Sequence, residues 1–373
     1  RPIQKEAIDA YIKNCYPEYG GGILCLACGF GKTILSLYLL SILKKKTLVV
    51  VHKEFLLNQW IERIKTFLPT AQVGRIQGKT FDIAGKDIVI GMLQSLSMKT
   101  YEEDAFDSFG TAIIDEAHHI SSEVFSRALP KISFKYTIGL TATPNRADGL
   151  QKVFEWFLGP IVYQSKRTHT HDVFVKIIEI QDTTESYCKI EEGYDGKPVT
   201  SRMINNVANY RPRTDIIIEE VKSIMLEPGR KILILSDRRD HLKLMKELLT
   251  ELGFDVGFYL GGMKQKDLDI SETKPIILGT FSMSSEALDI PELNTLFMTT
   301  PKSNIEQSVG RILRKQHEIR PLIIDIKDNF KPFSNQFTKR KTFYKKCKYQ
   351  MKEITIKSSN YVETITENKD LHN

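Results

Sequence analysis

The sequence contains no apolar run that approaches the roughly 20 residues of a membrane-spanning helix, and no secretory signal is visible at its start. We therefore expect no membrane partner and no export from the cell. Cysteine is scarce, and its five residues, odd in number and scattered, indicate a reducing intracellular compartment rather than a disulfide framework. Residue 1 is Arg rather than Met, so we expect further residues to precede it.

Side chains at metal-ligand spacings are also lacking. Cys25 and Cys28 form a Cys-x-x-Cys pair, but no second pair or nearby histidine completes a zinc site. His118 and His119 likewise have no partners at a ligand spacing. A redox or metal role for the two cysteines is the weaker alternative, and no nuclease constellation is evident. We therefore expect no metal site made from the protein's own thiols and imidazoles.

Length and charge indicate the size of the protein and the kind of partner. The chain has 373 residues, of which 41% are hydrophobic and 27% charged, values that suit a globular protein of two domains. The net charge of +7 suits a polyanionic partner. One late stretch carries basic residues and no acid: Lys331, Lys339, Arg340, Lys341, Lys345, Lys346, Lys348 and Lys352.

The strongest pattern begins with a glycine cluster and the apolar run Ile23–Leu26, which predicts a buried strand of a parallel sheet. Two further glycines, Lys32, Thr33 and an apolar helical run follow. This order is typical of a phosphate-binding loop, in which backbone N–H groups and the helix N-terminus hold an anion. Lys32 would reach the β- and γ-phosphates, and Thr33 would ligate Mg²⁺. Because Leu26 replaces the first glycine of the usual spacing, a glycine-rich turn before a core helix stays an alternative.

A second pattern places two adjacent carboxylates at the end of a predicted strand. Thr111–Ile114 is apolar, and Asp115 and Glu116 follow it directly. Sheets of α/β proteins bind ligands at the carboxyl ends of their strands, and neighbouring carboxylates without such a use are costly. Asp115 would hold Mg²⁺ through water, and Glu116 would polarise an attacking water as general base.

The chain alternates strands and helices twice, which predicts two parallel sheets. From about Gln164 the sequence becomes polar and less periodic, and we interpret residues 185–203 as a connector with a mobile loop. The second set begins with a predicted helix, Thr214–Leu226, and a predicted strand, Lys231–Leu235. It contains no phosphate loop of its own.

A third pattern lies in the second set, where the run Gln-Ser-Val-Gly-Arg-Ile-Leu-Arg covers residues 307–314. On a helix, Gln307, Arg311 and Arg314 would share one face, because they occupy positions i, i+4 and i+7. That face would present one amide and two guanidinium groups to a single target. An ordinary solvated helix face is the alternative.

Taken in order, these patterns resemble the motifs of a known family. Ala-Cys-Gly-Phe-Gly-Lys-Thr at 27–33, Asp-Glu-Ala-His at 115–118, Thr-Ala-Thr-Pro at 141–144 and the run at 307–314 resemble a superfamily 2 DEAH-type helicase core. The resemblance implies an α/β fold of two RecA-like domains, each a parallel sheet flanked by helices, with ATP in the cleft between them. The implied domains are 1–168 and 169–330, followed by a basic C-terminal extension at 331–373.

Three details are similar to the XPB-like branch of this superfamily. They are Cys28 in the loop, Arg146-Ala147-Asp148 directly after Thr-Ala-Thr-Pro, and Glu286, which begins a run at 286–291 that resembles helicase motif V. Within that branch the chain resembles helicases of large DNA viruses and phages, including the poxvirus transcript-release type. Ala287 stands where glycine is usual, and Asp-Glu-Ala-His at 115–118 departs from the Val that is common in this box in XPB itself.

The resemblance also implies roles for individual residues. The implied nucleotide-binding residues are Gln4, which would read adenine, Cys28, Gly29, Phe30, Gly31, Lys32, Thr33 and Asp289. The implied Mg²⁺ ligands are Thr33 and Asp115, and the implied catalytic residues are Glu116, Gln307, Arg311 and Arg314. The residues implied in nucleic-acid contact or coupling are His52, Lys53, Gln94, Ser95, Thr141, Thr143, Arg146, Asp148, Ser236 and Thr280.

The implied function is an ATP-dependent DNA helicase or translocase that moves 3′ to 5′, with ATP and Mg²⁺ as cofactors. Its implied partners are single-stranded or tailed DNA and transcription or replication proteins, and it would act as a monomer, in the host cytoplasm or virion if viral. Three alternatives stay open: a duplex-translocating motor that does not separate strands, an RNA helicase, and a nucleotide-switched binding module. The complete set of Glu116, Arg311 and Arg314 argues against the last.

The basic C-terminal stretch has two interpretations. Aromatic residues interleave with its lysines, among them Phe337, Phe343, Tyr344 and Tyr349. These rings could stack on bases while the lysines contact phosphates. Alternatively, the stretch is a terminal helix that docks on the second domain.

Overall fold

The structure is a computed structural model that describes residues 2–15, 20–26, 30–116, 127–128, 131, 134–141, 151–165, 172–286, 288–357 and 363–366. The chain divides into two compact units, Arg1–Thr168 and His169–Asn373. Across these described ranges, each unit is built on one eight-stranded sheet. No helix within the same ranges is both long enough and apolar enough to cross a bilayer.

The first unit alternates strands and helices. In chain order its elements are α1 (Pro2–Cys15), β1 (Gly20–Cys25), α2 (Lys32–Leu43), β2 (Thr47–Val51), α3 (Glu54–Phe67), β3 (Val73–Gln77), β4 (Thr80–Asp82), β5 (Ile88–Met92), α4 (Leu93–Met98), β6 (Thr111–Ile114), β7 (Tyr136–Thr141), α5 (Gln151–Leu158) and β8 (Ile161–Gln164). The strands are ordered β4-β3-β5-β2-β6-β7-β1-β8. Only β4 pairs antiparallel among the pairs described.

The central strands of this sheet are continuous apolar runs because both faces of the sheet are covered. Every residue of β2 and of β6 is buried. Helices α1, α2 and α3 pack on one face, where Tyr11, Leu39 and Trp60 are buried in a single cluster. A second cluster, which includes Phe106 and Phe109, covers the other face.

The second unit repeats the alternation. Its elements are β9 (Phe174–Gln181), α6 (Glu185–Cys188), α7 (Thr200–Asn209), α8 (Arg211–Met225), β10 (Ile232–Leu235), α9 (Arg239–Glu251), β11 (Val256–Tyr259), α10 (Gln265–Glu272), β12 (Ile276–Gly279), α11 (Phe281–Glu286), β13 (Thr295–Met298), α12 (Glu306–Arg311), β14 (Leu322–Asp328), α13 (Phe333–Lys346), β15 (Gln350–Lys357) and β16 (Glu363–Thr366). The strands are ordered β11-β12-β10-β13-β14-β9-β15-β16. Among the described pairs only β15–β16 is antiparallel.

The prediction of a polar, irregular segment after Gln164 was wrong for β9, which is an interior strand of the second sheet. Two charged residues in β9 obscure its apolar alternation in the sequence. Each finds an opposite charge: Lys176 lies 2.8 Å from Glu220, and Glu179 lies 3.1 Å from Lys327. The predicted connector 185–203 likewise contains α6 and the start of α7.

The C-terminal stretch is part of the second unit, as the docking alternative proposes. Phe337 and Tyr344 of α13 are buried in a cluster with residues of the sheet. β15 then pairs in parallel with β9. The structure therefore shows no separate extension that begins at residue 331, because β15 is a strand of the second sheet and α13 packs on that sheet.

Two buried aspartates on β14 fasten the helices to the strand. Arg213 of α8 donates two hydrogen bonds to Asp328, of 2.7 and 2.9 Å, and Tyr187 of α6 donates a third of 2.6 Å. Arg340 and Tyr344 of α13 donate in the same way to Asp325, over 2.9 and 2.8 Å. Each buried carboxylate thus accepts hydrogen bonds from one arginine and one tyrosine, as a buried charge requires.

Candidate active site

The candidate site lies at the carboxyl ends of three neighbouring strands in the first unit. Strand β7 lies between β6 and β1 in the sheet. The chain leaves β1 towards α2, and it leaves β6 through Asp115 and Glu116. Because parallel strands end at the same edge, the loop before α2 and the two carboxylates meet there.

Gly31 is the residue on which the loop turns into helix α2. It caps the helix with φ 77° and ψ 42°, a left-handed conformation that favours glycine. A Cβ at this position would lie 2.5 Å from Gln4 Nε2. The Gln4 side chain, predicted to read adenine, donates a hydrogen bond of 3.1 Å to the carbonyl of Phe30. Helix α1 is thereby tied to the loop.

Lys32 and Glu116 meet directly. Lys32 is the first residue of α2, and its Nζ lies 2.5 Å from Glu116 Oε1. Glu116 has a φ of 49°, which is rare for a residue with a side chain and typical of functional sites. The lysine predicted to contact phosphate and the predicted general base therefore lie in one place.

Asp115 is almost fully buried beside them. Trp60 of α3 donates its indole N–H to Asp115 Oδ2 over 2.8 Å, and the backbone N–H of Glu116 donates to Oδ1 over 3.0 Å. Burial, and then the charge of Glu116, raise the pKa of Asp115, while Lys32 and the Trp60 hydrogen bond oppose the shift. Trp60 had no signal in the sequence beyond an apolar position on a helix.

The residues fit a magnesium nucleotide. Lys32 and the partly exposed Thr33 begin α2, whose N-terminus favours an anion, and Asp115 offers a carboxylate. In the part of the chain that the structure describes, no group of three or more His, Cys, Asp or Glu side chains could hold a metal alone. A Mg²⁺ ion here would therefore take further oxygen ligands from phosphates and water, as is usual for this ion.

The arginine pattern of the second unit differs from its prediction. Helix α12 ends at Arg311, so Gln307 and Arg311 lie on it and Arg314 lies beyond its end. The amide of Ile312 bonds the carbonyl of Val309 at 3.2 Å, an i to i−3 bond that tightens and closes the last turn. The prediction of one shared helix face was wrong for Arg314.

Both arginines have partners within the second unit. Arg311 is 5% exposed and donates from one terminal nitrogen to the carbonyl of Leu288 over 2.8 Å. Arg314 forms an ion pair with Asp289, which the resemblance assigned to nucleotide binding. The four residues therefore connect the end of α12 to the segment after α11.

Five positions predicted to contact nucleic acid lie at the ends of strands in the first unit. His52 and Lys53 follow β2, and Thr141 ends β7. Gln94 and Ser95 follow β5, and Gln94 is exposed, whereas Ser95 accepts the amide of Gly78 over 3.0 Å. All five lie at the carboxyl edge of the sheet, beside the candidate site.

The two positions predicted in the second unit have structural roles. Ser236 is fully buried, with its hydroxyl 3.2 Å from His241 Nδ1 and accepting the amide of Arg238. Thr280 accepts the amide of Met283 at 3.4 Å, as a helix N-cap does. The buried Ser236 hydroxyl therefore does not fit a direct contact with nucleic acid.

Five predicted residues lie outside the described residues: Cys28, Gly29, Thr143, Arg146 and Asp148. Their roles stay predictions.

Comparison with known proteins supports the same interpretation. A family model described as "Type III restriction enzyme, res subunit" matches residues 1–146, and one described as "Helicase conserved C-terminal domain" matches 213–316. A protein of Acanthamoeba polyphaga mimivirus, provisionally named ATP-dependent RNA helicase L396, is 38% identical over 366 residues, covering 96% of this chain and 70% of its own. The chain belongs to the superfamily 2 helicases. Its predicted enzyme class, an ATP-dependent helicase, is confirmed.

Further matches agree with this membership. African swine fever virus has a relative of this helicase, provisionally named ATP-dependent RNA helicase QP509L, that is 28% identical over 377 residues, covering 93% of this chain and 72% of its own. A structure of S. cerevisiae Dbp5 bound to RNA and ADP BeF3 matches with a TM-score of 0.62 and 11% identity, covering 95% of this chain and 89% of that one. The predicted fold of two RecA-like α/β domains is confirmed.

Proposed function

We propose that this helicase hydrolyses magnesium ATP at the carboxyl ends of β1 and β6 and couples hydrolysis to movement along nucleic acid. The observation that carries the proposal is the 2.5 Å contact between Lys32 and Glu116, beside the buried Asp115. A phosphate-binding lysine and two carboxylates rarely converge at a strand edge and a helix N-terminus without such a use.

Each residue of the first unit has a distinct role in this proposal. Lys32 and Thr33 bind the phosphates and the metal at the N-terminus of α2. Bound Mg²⁺ neutralises charge on the phosphates. Asp115 holds the water shell of the metal, and Glu116 accepts a proton from the attacking water. Trp60 keeps the Asp115 carboxylate in one orientation through its 2.8 Å hydrogen bond.

We assign Gln307, Arg311 and Arg314 to stabilising charge on the phosphoryl group that is transferred. An arginine in such a role contributes roughly 10³–10⁵ to the rate in related phosphoryl-transfer enzymes. The ion pair between Asp289 and Arg314 supports the proposal, because it holds Arg314 at the segment after α11 whose Leu288 carbonyl Arg311 also contacts. Asp289 is then a residue that orients Arg314, whereas the resemblance gave it to the nucleotide.

The favoured track is DNA, with movement 3′ to 5′ and a role in viral transcription, replication or repair. This follows the XPB-like resemblance of the sequence, and the chain would act as a monomer. His52, Lys53, Gln94, Ser95 and Thr141 lie at the sheet edge where backbone phosphates would be held. Thr280, at the start of α11, would couple this grip to the nucleotide state.

RNA is the second candidate track. The relatives from mimivirus and African swine fever virus both carry names of RNA helicases. A motor that moves on duplex without separating strands is a third candidate, which the restriction-subunit description of the N-terminal match favours.

The proposal is tested with two variants and three substrates. Lys32→Ala should abolish ATP turnover, and Glu116→Gln should retain ATP binding but stop cleavage. The matched controls, Lys65→Ala and Glu103→Gln, change exposed residues of the same unit and should keep parental turnover. Near-normal kcat in either site variant contradicts the assignment. Displacement assays on 3′-tailed DNA, 5′-tailed DNA and tailed RNA then decide track and direction.

A further inference from the structure

Helix α13 has two faces of different composition. Its inner face carries the buried residues Phe333, Phe337, Arg340 and Tyr344. Tyr349, just beyond the helix, is buried in the same cluster as Phe337, and Phe343 packs against that cluster. The aromatic rings of this segment therefore belong to the core and are not available to stack on bases.

The charges of the outer face are all basic. We define the lysine face as five exposed residues of α13 and its flanks: Lys331, Lys339, Lys345, Lys346 and Lys348. The other exposed side chains between residues 331 and 350 are Asn335, Thr338, Thr342 and Gln350. No Asp or Glu occurs in this stretch.

The lysine face differs from several other charged positions of the second unit. Several exposed lysines elsewhere have an acidic neighbour: Lys222 lies 3.3 Å from Glu219, and Lys243 lies 2.9 Å from Asp240. Lys189 and Lys197 are paired in the same way with Glu191 and Asp195. Among the residues that the structure describes, none of the five lysines has an ion pair within 4 Å. An ordinary solvated face carries both signs of charge, so five unpaired cations indicate an anionic partner.

The side chains also indicate what kind of anion binds. Arg340, the one arginine of the stretch, points inward to Asp325, so the outer face offers ammonium groups only. Ammonium groups act as point charges and suit repeated phosphates without reading bases. A helix of 14 residues is about 21 Å long, which is enough to contact several consecutive phosphates. A membrane-binding helix would need an exposed apolar face, but the apolar side of α13 lies in the core.

We propose that the lysine face binds the sugar–phosphate backbone of nucleic acid, independently of base sequence. This inference rests on the proposed function in one respect only, which is that nucleic acid is the partner of this chain. The core cluster that holds α13 also contains Phe281 of α11 and Val309 of α12. The lysine face therefore belongs to the same side of the second sheet as the candidate arginines, and it would hold the strand near them regardless of nucleotide state.

The test compares two variants with equal loss of charge. The face variant carries Lys339→Gln, Lys345→Gln, Lys346→Gln and Lys348→Gln. The control carries Lys189→Gln, Lys197→Gln, Lys222→Gln and Lys243→Gln, which remove four exposed lysines that have acidic neighbours. Glutamine keeps a helix propensity close to that of lysine. Affinity for labelled DNA and RNA strands is measured without ATP over a range of salt concentrations.

The face variant should bind more weakly to both DNA and RNA. Its plot of log affinity against log salt should flatten by about 0.7 for each phosphate that the variant no longer neutralises. The control should keep the parental slope. A second variant with Lys→Arg at the same four face positions should restore the slope and so exclude a folding defect.

Equal salt slopes for the face variant and the control overturn the proposal. So does a face variant that loses binding to phosphatidylserine vesicles but keeps its binding to DNA and RNA. Absence of ATPase activity in the parent chain would count against the proposed function without changing this result.

Discussion

Trp60 and Asp115 are joined by a buried hydrogen bond of 2.8 Å, from the indole N–H to the carboxylate Oδ2. The bond connects the middle of helix α3 to the end of strand β6, so a core residue sets the direction of a candidate Mg²⁺ ligand. Asp115 is 7% exposed and Trp60 is 1% exposed, so water does not compete for the bond. Orientation of this carboxylate is therefore built into the packing of the first unit.

Trp60→Phe should raise the Mg²⁺ concentration needed for half-maximal ATPase activity. Phenylalanine keeps most of the packing but removes the N–H, and a hydrogen bond to a charged group contributes about 1.5–3 kcal/mol. The expected effect is a roughly tenfold to hundredfold shift in a Mg²⁺ titration. Trp156, the other tryptophan, is 78% exposed, and Trp156→Phe should leave the titration unchanged. An identical response of the two variants would remove Trp60 from the site.

Gly31→Ala should weaken ATP binding more than its backbone strain alone would explain. The left-handed conformation costs a non-glycine residue roughly 1–2 kcal/mol, and the new Cβ would also displace the Gln4 amide. Gly85 has a φ of 65° with no atom within 4 Å of its Cβ position, so Gly85→Ala carries the strain alone. Thermal unfolding and ATP affinity are measured for both. If Gly85→Ala loses as much ATP affinity, the contact with Gln4 has no part in binding.

His241 should make the second unit less stable in acid. Burial and the charge of Arg213 lower the pKa of His241 to about 3. In the unfolded chain the pKa returns to about 6.5, so below that pH the unfolded state binds a proton that the folded state does not. The free energy of unfolding should therefore fall as pH drops from about 6.5 towards 3, by up to about 1.4 kcal/mol per pH unit.

The measurement is chemical unfolding of the parent chain and of His241→Asn over this pH range. The variant cannot gain a proton at this position, so its unfolding free energy should vary less with pH. Its stability at neutral pH will be lower, because the hydrogen bonds of His241 with Thr214 and Ser236 change. Parallel pH curves for the two proteins would show that another group controls the acid response.

Local pattern in the sequence predicted the central sheet of the first unit well. Strand β6 has the predicted bounds, because Thr111–Ile114 is a short buried run of apolar and β-branched residues. The turn into α2 was also predictable, since glycine, lysine and threonine at fixed spacing have few other uses. These features depend on neighbours along the chain.

Features that depend on distant residues were not predictable. Lys176 and Glu179 make β9 resemble a polar segment in the sequence. Their partners in the fold, Glu220 and Lys327, are far away along the chain. The bond from Trp60 to Asp115, the burial of Ser236 and the inward direction of Arg340 depend on contacts between separate elements. Helix α12 ends at Arg311 in a local turn, whereas the i, i+4, i+7 spacing of Gln307, Arg311 and Arg314 suggested that the helix continues to Arg314.

The buried carboxylates of β14 determine where the second unit can be cut. Asp325 accepts hydrogen bonds from Arg340 and Tyr344, so removal of α13 would leave a charge in the core without its partners. An unpaired buried charge of this kind costs about 3–5 kcal/mol, a large share of the stability of a domain. A fragment that contains a folded second unit must therefore extend beyond Tyr344, and shorter expression boundaries would leave that unit unfolded.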